Sequence, residues 1–196
     1  MNVIAIVEGD GEVAALPALL HRFPEWRASA WADVPQPIRV RRDRFLNDEG
    51  EFRKKVSLAN AKCGAAGWIL ILLDADDDCP VTIAQSIHQR ARAIAPQREI
   101  SVVLAKHEYE AWLIAAAPSL AGQRGFSLPA NVPDAESVRG AKEWMGKCLP
   151  HGQKYHEVSD QAAFSARMDL QMAYDHSRSF RKLAGEWDRQ MALATP

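Results

Sequence analysis

Cysteine is scarce, and its pattern is uninformative for cross-linking. Cys63, Cys79 and Cys148 are widely separated and odd in number, which argues against a disulfide framework and suits free thiols in a reducing cytosol. Long apolar runs are missing too. The most apolar stretch, Trp68–Leu73, falls far short of the roughly 20 residues a membrane-spanning helix takes. The opening MNVIAIVEGDGE has no basic segment and turns acidic at once, so it is expected to be a strand and not a signal peptide. No sign of charge dominates: 24 Lys and Arg offset 25 Asp and Glu, for a net charge of −1. A global positive field for nucleic acid is therefore excluded, although a local basic strip is not. There is no internal repeat or low-complexity segment, no metal-type histidine pair on a convincing helix, and no thiol nucleophile constellation. What remains is an ordinary globular composition, 47% hydrophobic and 25% charged over 196 residues. That is enough for one domain, or one plus a helical appendage, with a sizeable core.

The most telling stretch is Trp68–Pro80, WILILLDADDDCP. A short run apolar on both faces is what a buried parallel strand requires, and it ends abruptly in Asp74, Asp76, Asp77 and Asp78. In open α/β sheets, ligands collect beyond the carboxyl ends of the strands. Carboxylates crowded there repel one another unless a proton or cation intervenes, and hard divalent cations such as Mg²⁺ (or Mn²⁺) take oxygen ligands.

In chain order, Asn2–Val7 is a buried strand leading into Glu8-Gly9-Asp10-Gly11-Glu12, where glycines permit a tight strand-to-helix turn. Apolar spacing predicts a helix over Val13–Phe23, a weaker strand over Ile38–Arg42, and a helix over Glu51–Lys62. After the strand Trp68–Leu73, a helix is expected from Pro80 to Ala95, a strand over Ile100–Leu104 and a helix over Lys106–Ala117. This alternation predicts a three-layer, Rossmann-like α/β fold around a mainly parallel four-stranded sheet. The expected organisation is an α/β domain over 1–117, a connection over 118–136 and a helical C-terminal extension over 137–196. Within that extension, helices are expected at Glu136–Met145, Asp160–Tyr174 and Ser177–Met191.

Acids follow three of the strands: Glu8 the first, Asp74, Asp76 and Asp78 the third, Glu108 and Glu110 the fourth. In a parallel sheet those loops emerge on one edge, so the acids can converge on one cation or a pair. Taken singly, an acid at a helix N-terminus is favoured by the helix dipole alone. A calcium loop of EF-hand type needs Gly at its sixth position and Glu at its twelfth. From Asp74 those are Cys79 and Gln85, and the reading fails. A phosphatase pair belongs after the first strand instead. A sugar-nucleotide transferase with a metal-holding Asp-x-Asp stays open, though it leaves Glu8 without a task.

Glu8-Gly in a strand–turn–helix, followed by Asp74-x-Asp76 after a later strand, resembles the signature of topoisomerase–primase (Toprim) domains. The stretch His107–Ile114 resembles the Glu-x-Glu-x-aromatic-Leu stretch of Toprim nucleases in the overcoming-lysogenisation-defect group. The layout, with Asp160-Gln161-x-x-Phe164, Met168-Asp169 and Ser179–Leu183 in the tail, is similar to domain-of-unknown-function family 4276, compact Toprim-like proteins often encoded beside ATPases in bacterial defence clusters. The resemblance implies a cytoplasmic, Mg²⁺-dependent nuclease or related phosphoryl-transfer protein acting on nucleic acid, with an ATPase as possible partner. It implies Asp74, Asp76 and Asp78 as metal ligands, Glu8 as ligand or general base, and one of Glu108 and Glu110 reaching the metal. For the transition state it implies a tail cation, and Lys142, Lys154, Arg178 and Arg181 are the candidates. The alternative is a non-catalytic Toprim-like module that binds a partner or nucleic acid.

The basic residues from Arg39 to Lys55 alternate with Asp43, Asp48, Glu49 and Glu51. They read as a solvated mixed-charge face in preference to a nucleic-acid track. Trp112 and Tyr109 read as core, and His107 as a helix-start residue.

Overall fold

The computed structural model describes residues 1–194; the last two positions of the expected extension lie outside the described residues. Four strands form one sheet: β1 (Asn2–Val7), β2 (Ile38–Arg39), β3 (Gly67–Asp74) and β4 (Glu99–Ala105). Their order is β2-β1-β3-β4, and every pairing is parallel. Val7 lies opposite Leu72 and Asp74 opposite Ala105, so β1, β3 and β4 all end at one rim. The architecture is α/β, Rossmann-like and three-layered, as the alternation of elements predicts.

The strands have little polar face because both faces are covered. Val3, Ala5 and Val7, with Trp68, Leu70 and Leu72, point into one core, while Ile4 and Ile6, with Ile69, Ile71 and Leu73, point into the other. This is the two-residue period of a strand buried on both sides. The second core is closed by α3 (Arg42–Asn47), α4 (Glu49–Lys62) and α5 (Pro80–Ile94). The first is closed by α1 (Asp10–Leu20), α2 (Phe23–Arg27), α6 (Glu110–Ala115) and the whole tail: α7 (Ala141–Lys147), α8 (Ala162–Ser165), α9 (Leu170–His176) and α10 (Arg178–Ala194).

The tail is thus one layer of the sandwich. Trp187 of α10 meets Trp68 of β3 at 6.4 Å between ring centroids and Phe23 of α2 at 5.3 Å, and Phe180 meets Trp112 at 5.4 Å. Arg22, just before α2, donates to the carbonyls of Ser165 and Met168 at 3.0 and 2.8 Å, anchoring the end of α8.

Several elements differ from expectation. The first helix begins at Asp10, because Glu12 reaches back to accept the Gly9 N–H at 2.7 Å, the one half of a capping box that a glycine N-cap allows. It stops at Leu20, and Phe23 belongs to the separate α2. The second strand ends at Arg39, and Arg42 already opens α3. The helix expected from Lys106 begins only at Glu110, because His107 sits at φ 60° and bridges back to Asp76. The tail helix expected at Glu136 starts at Ala141, after a left-handed Gly140. The one expected over Asp160–Tyr174 is broken into a π-helical turn at Glu157–Gln161, then α8 and α9. Asp169 restarts the chain as α9 by accepting the Met172 N–H at 2.9 Å.

Candidate metal centre

Four carboxylates come together inside the rim, each delivered by a different local device. Glu8 is the first residue past β1, Glu12 lies in the first turn of α1, Asp74 is the last residue of β3, and Glu110 opens α6. Three of them are taken out of water: Glu110 is fully buried, Glu12 is 6% exposed and Asp74 9%. Burial pushes the Asp74 carboxyl well above its ordinary range, and Glu12, Glu110 and Glu8 add to the effect through their charge. Burial likewise lifts Glu110 to about 7, against the pull of Lys142. Glu8 is raised by burial and then by Asp76. Buried like charges are expensive unless something positive joins them.

The hydrogen bonds hold this set in place without completing it. Gln161, on the π-helical turn, donates to Glu12 Oε1 at 3.2 Å and to Glu110 Oε1 at 3.3 Å. Tyr155 donates to Glu110 Oε1 at 3.0 Å. Glu8 Oε2, Glu110 Oε2 and Gln161 Oε1 are buried acceptors left with no partner. Arg42 is the cation that acts on Glu8, and Lys142 the one that acts on Asp74 and Glu110. Burial opposes its charge, but Glu110, Glu157 and Asp74 outweigh burial and raise its pKa. It also pairs with Glu157 at 3.2 Å.

Gly9 and Gly11 are needed for close approach, and neither has a positive φ. A Cβ on Gly9 would lie 2.5 Å from Glu12 Oε2, and one on Gly11 would lie 2.2 Å from Gln161 Oε1. The expected tight strand-to-helix turn is present between Val7 and Asp10, and the glycines serve it by close approach and not by a left-handed backbone.

A second, outer group of acids is held by cations of the chain itself. Arg42 donates to the Asp74 carbonyl at 3.0 Å, pairs with Asp78 at 2.5 Å and approaches Asp76 at 3.5 Å. Asp77 pairs with Arg139 at 2.9 Å, and His107 Nδ1 lies 2.7 Å from the Asp76 carbonyl oxygen. Among the described residues no three Asp, Glu, His or Cys side chains form a ready-made metal site.

A family model described as a domain of unknown function, DUF4276, matches residues 7–186. The chain belongs to the DUF4276 family. No curated protein and no solved structure matches it. The span shared with DUF4276 contains both acid groups, Lys142, Tyr155 and Gln161.

Of the residues singled out from sequence in this DUF4276 chain, Glu8, Asp74, Glu110 and Lys142 meet at the inner site. Asp76 and Asp78 stand outside it on Arg42. Glu108 Oε2 instead accepts the Lys142 backbone N–H at 3.1 Å, satisfying the first turn of α7. Arg181 holds the end of α9, donating to the Tyr174 and Asp175 carbonyls at 2.7 and 2.9 Å. Arg178 lines a groove along β4, and Lys154 a separate pocket with Arg124 and His156. Glu12, Tyr155, Gln161 and Arg42 escaped the sequence reading of the site. Only Glu12 carried a signal for its role, as the acid that returns to cap its own helix start.

Proposed function

We propose that this DUF4276 protein is a Toprim-like, Mg²⁺- or Mn²⁺-dependent nuclease. The observation that carries the reading is the set of buried carboxylate oxygens without partners, Glu8 Oε2 and Glu110 Oε2, beside a raised Asp74. Hard oxygen donors in negative excess fit a hard divalent cation and suit a soft one poorly. Bound there, such a cation supplies polarisation of a phosphoryl oxygen and activation of a water. A negative pocket also needs that charge inversion before a phosphodiester can approach.

In this reading Asp74 and Glu110 are the ligands, held from opposite sides by β3 and α6. Gln161 and Tyr155 keep Glu110 Oε1 occupied, so its second oxygen faces the centre. Glu8 is half-buried, and its raised pKa suits it to take a proton from an attacking water. Lys142 lies among the acids as the fixed positive charge that meets the charge developing on the phosphate. Arg42 sets the loop from Asp74 to Asp78, keeping Asp76 and Asp78 at the mouth. Nucleic acid as substrate, and an ATPase as partner, enter through the Toprim-like and DUF4276 resemblance.

The experiment is incubation of plasmid, single-stranded DNA and RNA with Mg²⁺ or Mn²⁺, and then with EDTA. Cleavage is expected only with metal, and Asp74→Asn and Glu8→Gln are expected to abolish it while circular dichroism stays unchanged. A second reading, a non-catalytic module, draws support from Arg42 engaging Asp76 and Asp78. Nucleic-acid or partner binding that ignores EDTA, with no cleavage, would favour it.

A further inference from the structure

Strand β4 forms one edge of the sheet, and it lies along the floor of a groove of about 1080 Å³ between α5 and α10. In a strand the N–H and C=O of one residue point to one side and those of the next residue to the other. The Ala105 carbonyl accepts from Ala75 at 2.8 Å, towards β3. The Lys106 N–H, turned the opposite way, donates to Ser179 Oγ at 3.2 Å. Ile100, Val102 and Leu104 share the parity of Lys106. Among the described residues, their outward backbone groups have no protein partner. An unpaired strand edge is a template for another strand.

The walls of the groove decide what that strand carries. Its acids are already engaged: Glu186 with Lys182, Arg189 and Ser101, Glu99 with Arg189, and Glu136 with the neutral donors of Ser177 and Ser179. Lys106 and Arg178 also line the groove, and their side-chain charges have no counter-ion among the described residues. Ile100, Val102 and Leu104 line the floor at 2, 6 and 4% exposure, their side chains belonging to the second core, and among the described residues no Phe, Tyr or Trp lines the groove. Bases would therefore find the His88 imidazole and no larger ring on which to stack. A second copy of this chain fits badly as well, because its own β4 is recessed between the same two helices and its basic walls would face their equals.

We propose that the groove docks an extended, acidic peptide strand from a partner protein. The peptide adds to β4 as a fifth strand and sets its carboxylates against Lys106 and Arg178. This inference is independent of the metal centre.

The test pans phage-displayed random octapeptides against the purified full chain and measures the enriched sequences by fluorescence anisotropy. Enriched peptides are expected to be acidic, with β-branched residues in alternation. They should bind at least about tenfold more weakly to the double variant Lys106→Glu/Arg178→Glu, whose fold is checked by circular dichroism. N-methylation of alternate peptide amides should weaken binding equally, since it removes the strand hydrogen bonds and leaves the charges in place. Failure to enrich any peptide would overturn the proposal. So would binding unmoved by both changes, or displacement of the peptide by a short single-stranded oligonucleotide, which would make the groove a nucleic-acid track.

Discussion

Glu110→Gln should stabilise the metal-free protein, and only above a definite pH. Glu110 is fully buried, and its carboxyl titrates at about 7 against an ordinary 4.5. The folded state therefore holds this proton more tightly than the unfolded chain. The stability this confers is fully present below about pH 4.5 and is lost as pH rises through about 7. The difference of about 2.5 pH units, at about 1.4 kcal/mol each, sets an upper figure of roughly 3 kcal/mol. Gln cannot ionise, and its carbonyl keeps Tyr155 and Gln161 as donors. Its amide N–H₂ then replaces the unpartnered Oε2 and faces the neighbouring carboxylates. At pH 8 with EDTA, the variant should melt about 6–12 °C above the unmodified protein for a chain of this size. At pH 4.5 the two should melt together. Saturating Mg²⁺ should raise the melting temperature of the unmodified protein at pH 8 and leave the variant nearly unmoved. Circular-dichroism melts at both pH values, with and without Mg²⁺, make the full comparison. A variant less stable at both pH values would refute the reasoning, because Glu110 would then be a satisfied structural acid and not a ligand awaiting a cation.

Lys142→Met removes the cation that faces Glu110 and Asp74. Metal-dependent cleavage should fall by at least about tenfold, and urea titrations should find a loss of roughly 1–2 kcal/mol at pH 8, smaller at pH 5 where Glu110, raised to about 7, is protonated. Arg181→Ala should cost roughly 1–2 kcal/mol by freeing the Tyr174 and Asp175 carbonyls, while Mg²⁺ affinity by calorimetry stays the same; a changed affinity would return Arg181 to the site. Gly11→Ala must displace the Gln161 amide. It should cost roughly 1–3 kcal/mol through overpacking and weaken Mg²⁺ binding, because Gln161 orients both Glu12 and Glu110.

The sheet was legible because its strands carry their own evidence. Trp68–Leu73 and Asn2–Val7 are apolar on both faces, and burial on both sides is the one environment that suits them. The convergence of Glu8, Asp74 and Glu110 followed from parallel strands sharing a rim, a geometric consequence that needs no side-chain detail. Helix starts were less legible. His107 takes a left-handed backbone that a helical pattern over Lys106–Ala117 gives no reason to expect, and this moves Glu108 away from the centre and onto α7. The division among the aspartates was hidden for a related reason: four in five positions look alike in sequence, but Arg42 reaches Asp76 and Asp78 from more than 30 positions away, and Arg139 takes Asp77. Gln161 stood in the tail stretch that carries the family resemblance, but that stretch did not give its role, which depends on a π-helical turn and on how closely Gly11 lets that turn approach.

The tail deserves its place in the site on energetic grounds. Glu8, Glu12, Asp74 and Glu110 come from the sheet half of the chain, and the groups that make their closeness tolerable come from beyond Ala117: Lys142, Tyr155 and Gln161. Without them, buried carboxylates would face one another with only water to separate them, and water would enter, since the same tail supplies Phe164, Phe180 and Trp187 to the core above β1 and β3. The apolar layer and the polar donors therefore arrive together. Docking Trp187 against Trp68 and Phe23 fixes α10, the cap at Asp169 fixes α9, and Arg22 fixes the end of α8, which leaves the π-helical turn ahead of it only one way to lie across Gly11. The closeness of the acids is held by packing tens of residues away, and protons relieve it, as the raised Asp74 and Glu110 record, or, in the proposed function, a divalent cation would.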